Sequence, residues 1–452
     1  MTVFIHDDRD VGSNNRIGYA YRDATGSWIE GLTPTLATDG VTWYDAHTFA
    51  DPSVAYDAAG QTETADGGFL CAALARKGAG SALHKLVLVS RYDPGSGMWS
   101  DWLELKEGAS GVPTQVDKPF LVAGGDDEFY VVWSNGQGGM GGEGYGCSRT
   151  VNGGLAWVAT DPIVDVDTSV TVTGLFAMQP SVFGNRDLYV AYHAEQDKFR
   201  FLRGTDDNSG PSGNNGVVFR HLRGPGTPLG PAVEVPIDAS FFQSLPTYLP
   251  GVTAGGSTMQ IAVDPTNIRR LYVAYHDEHP NQAGNSEVYV RTLDARGFDW
   301  FLGPEKLVYW PSEPSSGCPE DEHTDQFLPM ITVDGEGRVH VLYLDDGGIC
   351  QDDSVGNTAR FNVTYAVSCD GAQTFFNITL GPAPGSPNAA YVDFFWETDG
   401  WNPREYNGFT FVEGLFGGTT VWATFGGMDQ NDPDSGPPPG NKSVIYAIPF
   451  GY

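Results

Sequence analysis

Several short runs in this chain put histidine beside carboxylates. "YHAE" carries His193 and Glu195, and "YHDEH" carries His276, Asp277, Glu278 and His279. "HTD" carries His323 and Asp325, and "YLDD" carries Asp345 and Asp346. Three chemistries suit such runs. A histidine can abstract the C5 proton of a uronate sugar, as in a polysaccharide lyase, with a cation such as Lys118 or Arg404 neutralising the uronate. A pair of carboxylates about 5–9.5 Å apart can hydrolyse a glycosidic bond. His193, His276 and His323 with Asp345, or the acids Asp277 and Asp346, could hold Ca2+ or another divalent cation, although no local metal motif is present. Against all three stands plain repetition, since "VAYH" occurs twice. The stretch "FFWETDGWNPREY" adds Trp396, Trp401 and Tyr406 beside Arg404 and Glu405. Flat rings stack on the apolar faces of sugars while polar neighbours take their hydroxyls; an ordinary loop anchored by buried tryptophan would look the same.

The elements that must position these residues are strands. The chain has 452 residues with 59 Gly, 30 Pro and 12 % aromatics, a composition of short strands and tight turns. No long stretch shows a 3.6-residue apolar period, and no apolar run approaches the roughly 20 residues of a membrane span. The opening "MTVFIHDD" reads as an initiator methionine set on a mature domain, without a signal peptide. The net charge of −32 repels nucleic acid and anionic membranes; it reads as a solubilising surface or, in its Asp-rich loops, as calcium sites. Five cysteines are too few for a disulfide framework. Cys318 and Cys350 lie in polar loops and are placed to pair, Cys71 reads as a core residue, and Cys147 and Cys369 take similar places in two repeats. These features favour a secreted protein, extracellular or periplasmic.

One pattern recurs six times: a short apolar strand, a polar turn and an alternating aromatic strand. The copies start at residues 51, 118, 179, 259, 328 and 408, 61 to 80 residues apart. Each is long enough for four strands, which predicts one all-β domain over 1–452, a six-bladed β-propeller of four-stranded antiparallel blades. "RIGYAYRDATGSWIEGL" reads as third- and fourth-strand material, so the N- and C-terminal strands are expected to share a blade and close the ring. In the third-to-fourth-strand turns, Asp or Asn bonds its own backbone and Gly takes positive φ, a structural role for Asp370 and Asn152.

"SCDGAQTF" at 368–375 resembles the Asp-box of sialidases, with Gly shifted by one place and Phe375 for Trp; "TVNGGLAW" and "SRYDPGSGMW" are weaker copies. The resemblance to the sialidase-like, Asp-box (BNR-repeat) propellers runs blade by blade along most of the chain. It implies a six-bladed propeller, generally secreted and often acting on glycans. It also implies that the segments before each first strand and after each second strand converge on one face. By that placement the face holds Asp51, Lys118, His193, His276, Glu278, His323, Asp325, Asp345 and the 396–406 segment. Sialidases grip the substrate carboxylate with three arginines. Ala50 stands where the first belongs, beside Asp51, and "YHDEH" stands where the second is usual, so sialic acid cleavage is not expected. Tyr406 takes the place of the family's tyrosine nucleophile, and its base would have to come from another blade, because Glu405 alternates away. The expected function is therefore a glycoside hydrolase or polysaccharide lyase that is not a sialidase, with carbohydrate as partner. A non-catalytic propeller binding glycan or protein on the same face is the alternative.

Overall fold

The computed structural model describes residues 2–8, 14–22, 25, 27–34, 49–56, 68–77, 84–93, 95–107, 116–125, 127–135, 144–160, 164–165, 170–171, 179–182, 187–195, 198–207, 216–226, 230–237, 259–279, 282–309, 326–345, 360–379, 392–393, 396–397, 400–401, 408–413, 419–428 and 443–451. Every regular element among them is a β-strand. The chain divides into two compact units, residues 1–195 with 199–222, and residues 196–198 with 223–452.

Each of the six repeats lies in its own sheet, antiparallel except for one parallel pairing of Val164–Asp165 with Gly216–His221 in the third, with the two expected inner strands side by side. In the first unit Phe49–Tyr56 pairs with Phe69–Lys77, Val116–Gly125 with Glu128–Asn135, and Gln179–Val182 with Leu188–Glu195. In the second unit Met259–Val263 pairs with Arg270–His279, Gln326–Val333 with Val339–Asp345, and Gly408–Glu413 with Thr419–Met428. Within each unit the first strands of successive sheets lie against one another. Thr2–Asp8, Phe49–Tyr56, Val116–Gly125 and Gln179–Val182 follow in order in one unit, and Met259–Val263, Gln326–Val333 and Gly408–Glu413 in the other. The ends depart from expectation. Thr2–Asp8 pairs with Asn14–Arg22, which pairs with Trp28–Leu32, so the N-terminal strands build a sheet of their own. Ser443–Gly451 pairs with Thr419–Met428 in another. Among the described residues the two ends do not share a sheet. The reason is that "TVFIHDD" is itself a strand, which leaves the N-terminal segment self-sufficient.

Packing on both faces explains why the second strands read as nearly continuous apolar runs. All eight residues of Glu128–Asn135 are buried, as are all seven of Val339–Asp345. A strand with one wet face would alternate. Trp133 illustrates the fit. Its cross-strand partner is Gly146, and a Cβ there would stand 2.3 Å from the indole ring. Cys71 and Cys147 are buried free thiols within these cores, whereas Cys369 is an exposed free thiol in a turn, so Cys147 and Cys369 do not occupy matching places. Cys318 and Cys350 lie outside the described residues.

The third-to-fourth-strand turns behave as the sequence suggests. Asp370 accepts from the backbone N–H of Gln373 and of Thr374, each at 2.9 Å, and from Thr374 Oγ1 at 2.6 Å. Ser368 donates to it at 2.8 Å and receives the Ala372 N–H at 2.9 Å. Gly371 takes φ +71°, the left-handed turn conformation that costs glycine least. These donors hold the Asp370 carboxyl far below its usual range. Asn152 makes the equivalent bond to the Ala156 N–H, at 2.9 Å.

Candidate functional site

In the second unit, the register of two strand pairs gathers polar side chains at one end of two sheets. His276 stands opposite Val288, Asp277 opposite Glu287 and Glu278 opposite Ser286. In the next sheet Gln326 stands opposite Asp345. The two sheets are joined there: Ser286 Oγ donates to the Gln326 carbonyl at 2.5 Å, and the Val288 N–H donates to Gln326 Oε1 at 3.3 Å. Gln326 Nε2 donates to the Tyr309 carbonyl at 3.4 Å, and Thr364 Oγ1 donates to the Asp345 carboxylate. His276, Ser286, Glu287, Gln326, Asp345 and Thr364 are all at least 94 % buried. Burying so many polar groups is costly unless they hydrogen-bond, and Ser286, Gln326, Asp345 and Thr364 do so here.

Strand alternation sorts these groups onto two faces. His276 shares its face with Ser286 and Val288, and this face carries the apolar cluster of Ala274, Val288 and Val290 that packs on Val341 and Tyr343. Burial pushes the His276 imidazole down to about 3, so it is neutral at any ordinary pH. Asp277, Glu287, Tyr275 and Tyr289 share the opposite face. There Tyr275 donates to the Glu305 carboxylate, which Arg291 also holds at 3.0 Å, and the rings of Tyr275 and Tyr289 lie 5.9 Å apart. "YHDEH" is thus split between two faces of one sheet. Burial and the charge of Asp345 raise the phenol pKa values of Tyr309 and Tyr343.

In the first unit Lys118 sits at φ +48° on the first strand of its sheet, where pairing with the second strand slips between Val132 and Ser134. Lys85 holds the neighbouring Asp117 at 3.0 Å. Leu328 repeats the arrangement at φ +50°, with the slip between Phe327 and Met330, and Asp51 falls within a third slip between Ala50 and Ser53. All three residues precede proline. Each is therefore part of a bulge that bends a first strand near its start.

His193 lies near the end of its second strand at the place that matches His276, and Glu278 lies two residues beyond His276, at the place that matches Glu195. Trp396 pairs with Trp401 across a short hairpin where a loop was expected. His323, Asp325, Asp346, Arg404, Glu405 and Tyr406 lie outside the described residues. Among the described residues no group of three His, Cys, Asp or Glu side chains is placed to hold a metal ion. Sequence reasoning found His276, Asp277 and Asp345 but passed over Ser286, Glu287, Gln326 and Thr364. Their signal was a polar residue at the edge of an apolar strand, in "SEVYV" and "QFLPM".

No protein-family model and no curated protein matches this chain. Solved structures with some likeness include the intramolecular trans-sialidase from Ruminococcus gnavus, at 10 % identity over 75 % of this chain and 84 % of that one, TM-score 0.38. The Aleuria aurantia lectin shows 13 % identity over 85 % and 94 %, TM-score 0.38. An α-L-arabinanase from Penicillium chrysogenum shows 12 % identity over 65 % and 71 %, TM-score 0.34.

Proposed function

We propose that this chain is a secreted, glycan-active β-propeller of the sialidase-like type, a glycoside hydrolase or polysaccharide lyase that does not cleave sialic acid. In this reading the two compact units are parts of a single propeller domain, and the six repeats are its blades. The observation that carries the glycan reading is the polar layer at one end of the second unit. Two buried carboxylates, Glu287 and Asp345, lie at the strand ends where Ser286 and Val288 bond to Gln326 across the sheets, Glu287 on the face opposite His276 and Ser286. Fixed carboxylate and amide acceptors of this kind suit polyhydroxylated ligands, and the tyrosines beside them supply flat apolar surface. The turn built on Ser368, Asp370 and Gly371 supports the family likeness, and Ala50 in the place of an arginine supports the exclusion of sialic acid.

In this reading Glu287 and Asp345 are the carboxylates assigned to hydrolysis. His276, neutral and buried, acts as a hydrogen-bonding group, because a base with a pKa near 3 abstracts protons poorly at neutral pH. Tyr406 is retained as the nucleophile candidate, with Arg404 and Glu405, Trp396, Trp401, His323 and Asp325 as substrate contacts. The weakness of His276 as a base favours a second reading, a glycan-binding propeller without catalysis. A panel of neutral and acidic polysaccharides, read for new reducing ends and for unsaturated-uronate absorbance, separates the readings. Release of either product supports an enzyme. Binding without release supports the lectin-like reading, and neither binding nor release removes the glycan proposal.

A further inference from the structure

In the second unit, the sheet face opposite His276 carries an acidic pair. Asp277 and Glu287 are directly opposite each other on neighbouring strands, a separation at which like charges repel. Tyr289 follows Glu287 by two residues and so shares its face. The Tyr289 side chain is 5 % exposed, and its hydroxyl has no hydrogen-bond partner. Burial and the charges of Glu287, Glu305 and Asp277 keep that hydroxyl protonated, which places a buried donor inside an acidic pair. Native structures rarely leave such a group unpaired without a reason.

We propose that the face formed by Asp277, Glu287 and Tyr289 binds the ammonium group of an amino sugar, with the Tyr289 hydroxyl hydrogen-bonded to a ring substituent of the same residue. The proposal rests on the glycan reading above and names its substrate class. A primary ammonium has three donors and can bond both carboxylates at once, which relieves their mutual repulsion. An organic cation fits better than a metal ion, since no grouping of three metal-ligating side chains is placed to hold one among the described residues. Asp277 is half-buried and Glu287 fully buried, so the ligand approaches from the Asp277 side. The net charge of −32 attracts a polycationic glycan over long range and repels a polyuronate.

The test is calorimetric titration of the whole chain with glucosamine oligomers, their N-acetylated counterparts, a neutral glucan oligomer and an oligogalacturonate. Glucosamine oligomers should bind at least about tenfold tighter than the acetylated ones, because acetylation removes the charge. Asp277→Asn should erase that preference, and Tyr289→Phe should weaken binding several-fold. Tyr289→Phe should melt no lower than the parent, since it removes only an unpaired hydroxyl. Equal affinity for both oligomers, or an unchanged preference in Asp277→Asn, overturns the proposal. Binding of the neutral or acidic oligomer alone overturns it and leaves the glycan reading standing. Silence from every glycan overturns both.

Discussion

The buried ion pair of Glu128 and Arg149 gives a stability prediction whose size follows from geometry. Both side chains are essentially inaccessible, at 0 % and 3 % exposure. Arg149 Nε donates to Glu128 Oε1 at 2.6 Å, and the Tyr130 hydroxyl donates to the same oxygen at 2.8 Å. Glu128→Gln preserves shape and removes the negative charge that faces the buried guanidinium. Breaking a buried pair from one side costs about 3–5 kcal/mol. For a cooperative unit of roughly 200 residues that is a fall in Tm of about 6–20 °C. The double change Glu128→Leu with Arg149→Met removes both charges and should recover most of the loss, because neither desolvation penalty remains. Thermal unfolding followed by near-ultraviolet circular dichroism reports the difference, since Trp133 and Tyr130 lie in the same strand. A Glu128→Gln protein within about 1 kcal/mol of the parent would refute the view that this pair is a closed, water-free contact.

Four shorter predictions accompany it. Asp370→Ala should cost about 1–2 kcal/mol by analogy with the loss of a capping side chain, measured by urea titration. Because the folded Asp370 carboxyl titrates below the unfolded range, its contribution is complete above about pH 4 and is lost as pH falls through its lower folded value. For His276, whose folded pKa is depressed to about 3, the unfolded chain binds the proton more readily below about pH 6.5. Stability attributable to it should decline from there toward pH 3, and its ring resonances should not titrate between pH 5 and 8. Native alkylation read by mass spectrometry should modify Cys369 and spare Cys71 and Cys147 until the protein unfolds, because burial denies access and raises both thiol pKa values. Asn377 heads the sequon Asn-Ile-Thr, and in a eukaryotic host the folded chain should not accept a glycan there, as read by mass spectrometry. Its Nδ2 is donated to the Val308 carbonyl at 3.0 Å and its Oδ1 receives the Tyr343 hydroxyl at 3.3 Å.

Strand pairing was legible because period-2 patterns and turn residues are local. "LYVAYH" after "IAVDPTNIRR" fixes a hairpin, and the register follows from which side chains must be buried. The Asp370 turn was legible for the same reason. The N-terminal sheet was missed because "TVFIHDD" is short and polar at its end, so nothing in it resembled the aromatic second strands of the repeats. The site was only partly legible. His276 sits among Asp277, Glu278 and His279, a polar run that gives no local sign of burial. Its burial depends on the Gln326 sheet packed over it, which is set by contacts distant in sequence. Glu287 was hidden for the opposite reason, as one acid in an apolar strand whose partner Asp277 is ten residues earlier on the neighbouring strand. The bulges at Lys118 and Leu328 have a sequence correlate in the following proline, but a proline alone does not specify positive φ in the residue before it.

The most direct test of the central claim is the effect of Glu287→Gln on the best glycan found in the polysaccharide panel. The variant preserves volume and hydrogen-bonding shape and removes one charge from the polar layer. A loss of at least about tenfold in glycan turnover, or in affinity if no product forms, with Tm unchanged, is the predicted result. Turnover or affinity equal to that of the parent would contradict the placement of the glycan site at this end of the second unit.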